Sequence, residues 1–297
     1  MTTIFASDFH GTGDAYINKI EKMRAKYPAA QIVFGGDYID GRKCSKQVLN
    51  YIRQMQVSHH AIVLKGNHED LMLEFVKSGN RWDYDAWREN GGNTTYRSLI
   101  GKRIRFSVAQ KSLQQVKLYD GTKLIDWLNS LQKAYVNDDA CFVHAQLTLP
   151  QHPEEIETTV DNSAYPPHHV ETFIKHEPHP VYPIEDAIKN TSEETALWGR
   201  DFIQLAGFWH NYSDHAIVVG HTPTCYFTYA SHSEGLFVTE YRDGNSFKQK
   251  LMCPIMKMYR ENERPIIACD GGCHGKQPYN TGNVLMIDHG EVVDYQC

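Results

Sequence analysis

Short apolar runs alternate with amphipathic stretches along the first part of the chain. Thr2–Ala6, Gln31–Gly35 (QIVFG) and Ala61–Lys65 (AIVLK) read as three short buried strands. Between them, Asp14–Tyr27 places Ile17, Ile20 and Tyr27 on one helical face, and Ser45–Val57 does the same with Val48, Leu49, Ile52 and Met55. Leu71, Met72, Phe75 and Val76 continue the helical period after the third strand. Strands alternating with helices predict parallel βαβ units.

The pattern then loosens. Trp82–Gly121 predicts a helical and loop insertion with a turn at Gly91-Gly92, and Lys123–Leu131 a helix. Ala140–Val143 reads as a strand ending at His144. Gln151–Pro183 is rich in Pro and His (His152, His168, His169, His176, His179) and reads as an exposed loop, with a role in substrate selection as the sharper alternative. Glu193–Trp209 reads as a helix, and Ala216–Val219 as a strand running into Gly220-His221-Thr222-Pro223. Leu236–Tyr241, Pro265–Cys269, Asn283–Ile287 and Glu291–Tyr295 add short strands, with a hairpin turn at Asp288-His289-Gly290. These predict a second sheet, mostly antiparallel, packed on the first. No internal repeat is present. The chain reads as a single domain over residues 1–297, with insertions at about 82–121 and 151–183.

Polar clusters fall where the strands end. Asp8-Phe9-His10 follows the first, Gly36-Asp37-Tyr38-Ile39-Asp40 the second, and Gly66-Asn67-His68-Glu69 the third. Ligands of open parallel sheets sit at the carboxyl ends of the strands, so the three clusters should meet at one edge. Asp8, Asp37 and the Asn67 side-chain oxygen are oxygen donors, while His10, His144 and His221 are imidazole donors. Mixed oxygen and nitrogen donors without thiolate suit Mn, Fe or Zn better than Ca or Mg. The set exceeds one tetrahedral site and fits two divalent or mixed-valence ions about 3.5–4 Å apart, Mn2+ first, bridged by a carboxylate. Asp37 is the expected bridge. A metal-bridging hydroxide would attack phosphorus, His68 would protonate the leaving oxygen as general acid, and Asp40 would orient His68.

Composition narrows the picture. Hydrophobic residues make up 41% and charged residues 22%, as in ordinary globular chains. Lys plus Arg number 30 against 36 Asp plus Glu, a net charge of −6 that disfavours a general nucleic-acid surface. The 7 Cys (44, 141, 225, 253, 269, 273, 297) are odd in number and scattered, with no C-x-x-C pair. A disulfide framework and a thiolate zinc site are therefore not expected. The first apolar run is too short for a signal-peptide core, and no uncharged run reaches the ~20 residues of a membrane span. A cytoplasmic protein with reduced thiols and no membrane partner is expected.

Taken together, SDFHG, GGDYIDG, LKGNHE, FVHA and VVGHT resemble the calcineurin-like metallophosphoesterases. Within them, the motifs look closest to the phosphoprotein-phosphatase branch of bacterial serine/threonine phosphatases and symmetrical diadenosine tetraphosphatases. The resemblance runs from Asp8 to about Gly272, weakest over Trp82–Lys133 and the Pro/His-rich stretch. It implies an α/β fold, a four-layer αββα sandwich of two mixed sheets flanked by helices. It also implies that metal one takes Asp8, His10 and Asp37, and metal two Asp37, Asn67, His144 and His221. Leu197-Trp198-Gly199-Arg200 resembles the segment presenting a phosphate-binding Arg, so Arg200 joins Asn67 and Arg42 as expected substrate contacts. Asp270-Gly271-Gly272 resembles the late Asp-x-Gly turn of that branch.

Three departures are informative. Many relatives read Gly-Asp-x-x-Asp-Arg-Gly, whereas this chain reads Asp40-Gly41-Arg42. Arg42 then either reaches the phosphate from a reshaped loop or loses that contact. Where the family often has Val-His-Ala-Gly, Ala145 is followed by Gln146. Nucleases and cyclic-nucleotide phosphodiesterases of the fold carry Gly-His-x-His, but here Pro223 replaces the second His and cannot ligate. The expected activity is hydrolysis of a phosphomonoester or nucleoside polyphosphate anhydride. A serine/threonine protein phosphatase is the alternative, and a nuclease or non-catalytic scaffold stands further back. The expected partner is a phosphorylated small molecule or phosphoprotein. His59, His60, His210 and His215 read as surface residues, Cys273 as structural, His274 as a residue beside the late turn with a substrate contact as the alternative, and Trp82, Trp87 and Tyr96 as the insertion's own small core rather than base-stacking groups.

Overall fold

The structure, a computed structural model, describes residues 2–149, 181–200, 211–224, 263–274 and 282–296, together with strands at 156–161, 168–173, 236–238 and 255–258. Cys225, Cys253, Cys297, His152, His176, His179 and His210 lie outside the described residues, as does the stretch of the expected Glu193–Trp209 helix from 201 onward. Cys44, Cys141, Cys269 and Cys273 form no disulfide with one another. Among the described residues no helix is long and apolar enough to cross a membrane.

The expected βαβ rhythm is present at the start of the chain. Strands β1 (Thr3–Ala6), β2 (Gln31–Phe34) and β3 (Ile62–Val63) alternate with helices α1 (Asp14–Lys26), α2 (Ser45–His59) and α3 (Asn67–Ser78). The insertion folds as α4 (Arg81–Trp87), a wide turn over Arg88–Gly92, α5 (Asn93–Ile100) and α6 (Phe106–Gln114), followed by α7 (Leu124–Asn129). Next come β4 (Ala134–Val136), β5 (Ala140–Val143), β6 (Ile156–Asp161), β7 (His168–Phe173), α8 (Ile184–Asn190), α9 (Glu193–Trp198) and β8 (Ala216–Val219). Strands β9 (Leu236–Val238), β10 (Ile255–Met258), β11 (Ile266–Ala268), β12 (Val284–Asp288) and β13 (Glu291–Gln296) complete the order.

Two mixed sheets result, one of five strands (β13-β12-β1-β2-β3) and one of six (β4-β5-β8-β11-β10-β9). Period-two alternation makes each central strand serve two cores. Ile4, Ala6, Ile32, Phe34, Val284 and Met286 face a helix-side core shared with Ile20, Leu49, Ile52 and Phe75. Phe5, Val33, Phe142, Val218, Ile267 and Leu285 fill the layer between the sheets. Cys141, Val143, Ile217, Val219 and Ile266 face a third core with Ile184, Ala187 and Ala196 of α8 and α9. Helix, sheet, sheet and helix layers follow from this alternation.

The second sheet is mostly antiparallel as expected, with three antiparallel pairings, though β5, β8 and β11 pair in parallel at its centre. These strands are buried along their whole length, as parallel strands covered on both faces are. The last two strands join the first sheet instead, β12 lying antiparallel to β1, with the turn at His289-Gly290 as expected. The Pro/His-rich stretch contains the β6–β7 antiparallel pair rather than loop alone. Helix α9 stops at Trp198, where Gly199 turns to extended backbone against Gln146. Trp87 and Tyr96 are buried in the helix-side core, but Trp82 is 82% exposed and takes no part in it.

Replacing Phe142, which packs on Phe5 at 5.4 Å between the sheets, tests the layer order. Phe142→Ala should cost about 3–5 kcal/mol in urea unfolding. A loss typical of a surface site would contradict the placement.

Candidate metal centre

Six parallel strands, three from each sheet, end at the same place. Asp8 and His10 follow β1, Asp37 and Asp40 follow β2, and Asn67 and His68 open α3 just after β3. His144 follows β5, His221 follows β8 and Asp270 follows β11. The loops are stitched together by backbone bonds: Asp8 N to Gly36 O at 3.0 Å, His10 N to Asp37 O at 2.9 Å and Gly220 N to His144 O at 2.9 Å. The sheets are joined there too, since His221 N donates to Asp8 Oδ1 at 3.0 Å.

Backbone strain concentrates at this edge. Asp8, His10, Asp37, Asp40 and His221 all have positive φ, between 45° and 67°. Among the described residues only His60 and His289, at a helix end and a hairpin, share that state without glycine. Such conformations cost about 1–3 kcal/mol each and persist where surrounding contacts over-determine them. Here Glu69 is one such contact. Its buried carboxylate accepts from Asp37 N at 2.9 Å, Tyr38 N at 2.9 Å and Gly66 N at 3.0 Å. Glu69 lies inside the Gly-Asn-His-Glu motif but carries no sequence signal separating a loop anchor from a ligand.

All six expected ligands are brought together and buried. Asp8, His10 and Asp37 form one group of converging donor atoms and Asp37, His144 and His221 another, so Asp37 belongs to both. Its Oδ2 lies 3.6 Å from His10 Nε2 and its Oδ1 3.4 Å from His144 Nε2. The Asn67 side-chain oxygen lies 2.9 Å from His144 Nε2 and 3.0 Å from His221 Nδ1.

Proton accounting shows what this donor set fits. His144 Nδ1 faces the Gly35 carbonyl at 2.8 Å and His10 Nδ1 the Ile39 carbonyl at 3.3 Å. A carbonyl only accepts, so each Nδ1 carries a proton and each Nε2 is the ring nitrogen turned inward. Those inward nitrogens meet carboxylate and amide oxygens. Turning the Asn67 amide over lets its nitrogen donate to Asp37 Oδ2 at 3.1 Å, but a neutral amide brings no positive charge to the site. Burial and the facing Asp270 and Asp37 carboxylates raise Asp8 well above its usual range. Burial disfavours charge on His144, yet Asp37 outweighs it and holds the imidazole up at about 9. Burial and the neighbouring His144 push His221 down to about 2. Divalent cations, one in each donor group, would offset the crowded carboxylates and take the inward nitrogens as ligands.

The chain matches the model of the calcineurin-like phosphoesterases over residues 1–225. It belongs to that family. The calcineurin-like phosphoesterase is thus a metal-dependent phosphoesterase hydrolase, as the strand-end motifs lead one to expect. Its fold is similar to that of a metallophosphoesterase from Sphaerobacter thermophilus, at 13% identity over 100% of this chain and 90% of that one, TM-score 0.46. It is also similar to a cold-active protein-tyrosine phosphatase of a psychrophilic Shewanella species, at 13% over 98% and 76%, TM-score 0.44. A candidate diadenosine tetraphosphatase is similar at 14% over 98% and 91%, TM-score 0.43. No curated protein sequence matches the chain.

Around the calcineurin-like centre lie the other expected residues. His68 Nδ1 and Asp40 Oδ2 are 3.0 Å apart, and His68 Nε2 points inward, 3.9 Å from Asp37 Oδ2. Burial opposes charge on His68, but Asp37 and Asp40 push it up to about 9. Arg200 is exposed on the His221 side, donating from Nη1 to Thr222 Oγ1 at 3.1 Å. Arg42 lies beside the late turn. Its Nε donates to the Cys273 carbonyl at 2.9 Å and ties down the late turn. Burial pushes the Cys273 thiol up to about 12, which suits a packed side chain rather than a nucleophile. His274, beside it, rests its ring against His10 at 4.8 Å and His68 at 5.0 Å.

Sequence reasoning passed over Thr95. Its hydroxyl accepts from Asp40 N at 2.8 Å and donates to Asp40 Oδ1 at 2.7 Å, from a helix of the insertion. Nothing in its local spacing marks it.

Gly220 reports on the crowding. A Cβ there would overlap Asp8 Oδ2 and the Ser7 side chain. Gly220→Ala should weaken manganese affinity by about 10–100-fold, the usual effect of disturbing a ligand's support, read by calorimetric titration. Unchanged affinity would contradict the close approach.

Proposed function

We propose that the protein is a two-metal phosphohydrolase that cleaves a phosphomonoester or a nucleoside polyphosphate anhydride, with His68 as general acid. The His68–Asp40 pair carries this reading. Asp40 engages Nδ1, so the second ring proton sits on Nε2, facing the same buried point as Asp37. That is the geometry a leaving-group oxygen needs.

In this reading Asp8, His10 and Asp37 hold one metal, and Asp37, Asn67, His144 and His221 the other. The bound metals supply Lewis-acid activation of water and neutralise charge on the phosphate. The residues do the rest. Asp37 fixes the spacing between the two halves of the site. Arg200, exposed and tethered to Thr222, meets phosphate oxygens from the His221 side. Asn67, beside His144 and His221, also positions the phosphate. As the bond from phosphorus to the leaving oxygen breaks and water adds its oxygen, the Nε2 proton passes to that leaving oxygen. Asp40 then stabilises His68 until it is reprotonated. Pro223, in place of a second imidazole, supports monoester or anhydride substrates over diesters.

Phosphate release from diadenosine tetraphosphate and from a phosphothreonine peptide, with manganese loaded, tests the proposal. Turnover of the nucleotide, reduced about 10²–10⁴-fold in His68→Ala, is the expected result. Turnover of the peptide alone would make it a protein phosphatase. Equal rates for wild type and His68→Ala would remove His68 from the chemistry.

A further inference from the structure

The acid pair does not stand alone. Asp40 has φ 67°, and its peptide N–H and its carboxylate both end on one hydroxyl, Thr95 Oγ1. The two carboxylate oxygens divide the work: Oδ1 accepts from Thr95 and Oδ2 pairs with His68 Nδ1. Thr95 is fully buried. Its single proton is committed to Asp40, so Ser45 Oγ, 3.1 Å away, must donate to it. The hydroxyl thus has one proton and two acceptor positions, all used.

The helix carrying Thr95 is pressed onto the acid loop. Gly91, just before α5, has φ 101°, and a Cβ there would lie 2.5 Å from Gly41 N and 3.2 Å from Asp40 Cβ. Trp87, buried at the end of α4, stacks over Gly92 so closely that a Cβ would overlap its ring. On the outer side, the Asn90 carbonyl meets His274 Nε2 at 3.2 Å, and the His274 ring rests on His68. The segment from Arg88 to Thr95 therefore grips the acid pair from two directions.

We propose that Thr95 is a positioning residue for leaving-group protonation. It fixes the Asp40 carboxylate in the one rotation that keeps His68 Nε2 aimed at the leaving oxygen. The insertion is then part of the acid machinery rather than an added cap. The inference rests on the reading of His68 as general acid. It makes a demand that reading alone does not. Removing the Thr95 hydroxyl must hurt in proportion to the leaving group's need for a proton, because that hydroxyl bonds to Asp40 and Ser45, neither of them an expected metal ligand.

The test compares the manganese-loaded wild type with Thr95→Val, Thr95→Ser and His68→Ala on two aryl esters, 2,4-dinitrophenyl phosphate and phenyl phosphate. The first leaving group departs without a proton and the second requires one. Thr95→Val should lose about tenfold or more in kcat on phenyl phosphate, part of the 10²–10⁴-fold worth of a general acid. It should lose little on the dinitrophenyl ester, and Thr95→Ser should recover most of the loss. Equal losses of Thr95→Val on both esters, beside a leaving-group-dependent His68→Ala, would overturn the role of Thr95 alone. Losses independent of the leaving group in His68→Ala would overturn the general-acid reading and Thr95 with it. A second readout needs no turnover. The downfield proton resonance of His68 Nδ1, assigned by its loss in His68→Ala, should move in magnesium-loaded Thr95→Val and stay in place in Thr95→Ser. An unmoved resonance in Thr95→Val would also overturn the proposal.

Discussion

Asp37 has to hold a buried negative charge between two groups of donor atoms, and much of the molecule answers that requirement. Burial works against ionisation of its carboxylate, but His144 and His68 outweigh burial and hold it well below the usual range. Glu69 anchors its backbone N–H, and His68 N donates to its Oδ1 at 3.0 Å from the first turn of α3. That helix end adds a favourable dipole to the same oxygen. Burial and Asp270 raise Asp8, and burial and Asp37 raise Asp270, a crowding of carboxylates that bound cations would offset.

Placing that charge at the meeting point of two sheets has structural consequences. Each sheet contributes three parallel strands whose carboxyl ends face one edge, and every loop but the one after β5 leaves its strand through a left-handed residue or a glycine. A left-handed residue reverses the chain within one step, which keeps donors close to the strand that supports them. The three apolar layers make those strand ends rigid. Strain at the site is thus offset by packing elsewhere, a division of labour usual in functional centres.

The inner half of the site was legible because its information is local. Asp8, Asp37 and Asn67 each follow an apolar run that ends abruptly, and His144 and His221 repeat the pattern later in the chain. Thr95 was not legible, because its partner lies 55 residues away and only the packing of α5 on the Asp40 loop brings them together. Arg42 was legible as displaced, but its new partner, the Cys273 carbonyl, is 231 residues distant. The sheet membership of β12 and β13 was misjudged for a similar reason. Alternating strands announce two faces, but which edge they join is decided by long-range pairing with β1. The end of α9 depended on Gly199 meeting Gln146, again a tertiary contact.

The claim on which the account turns is that Asp37 joins two metals in one site. Electron paramagnetic resonance during manganese titration of the metal-free protein addresses it directly. The account predicts two ions per chain and a signal of an exchange-coupled pair, since one carboxylate links both ions. Saturation at one ion per chain, or two ions giving independent isolated-manganese signals, would contradict it.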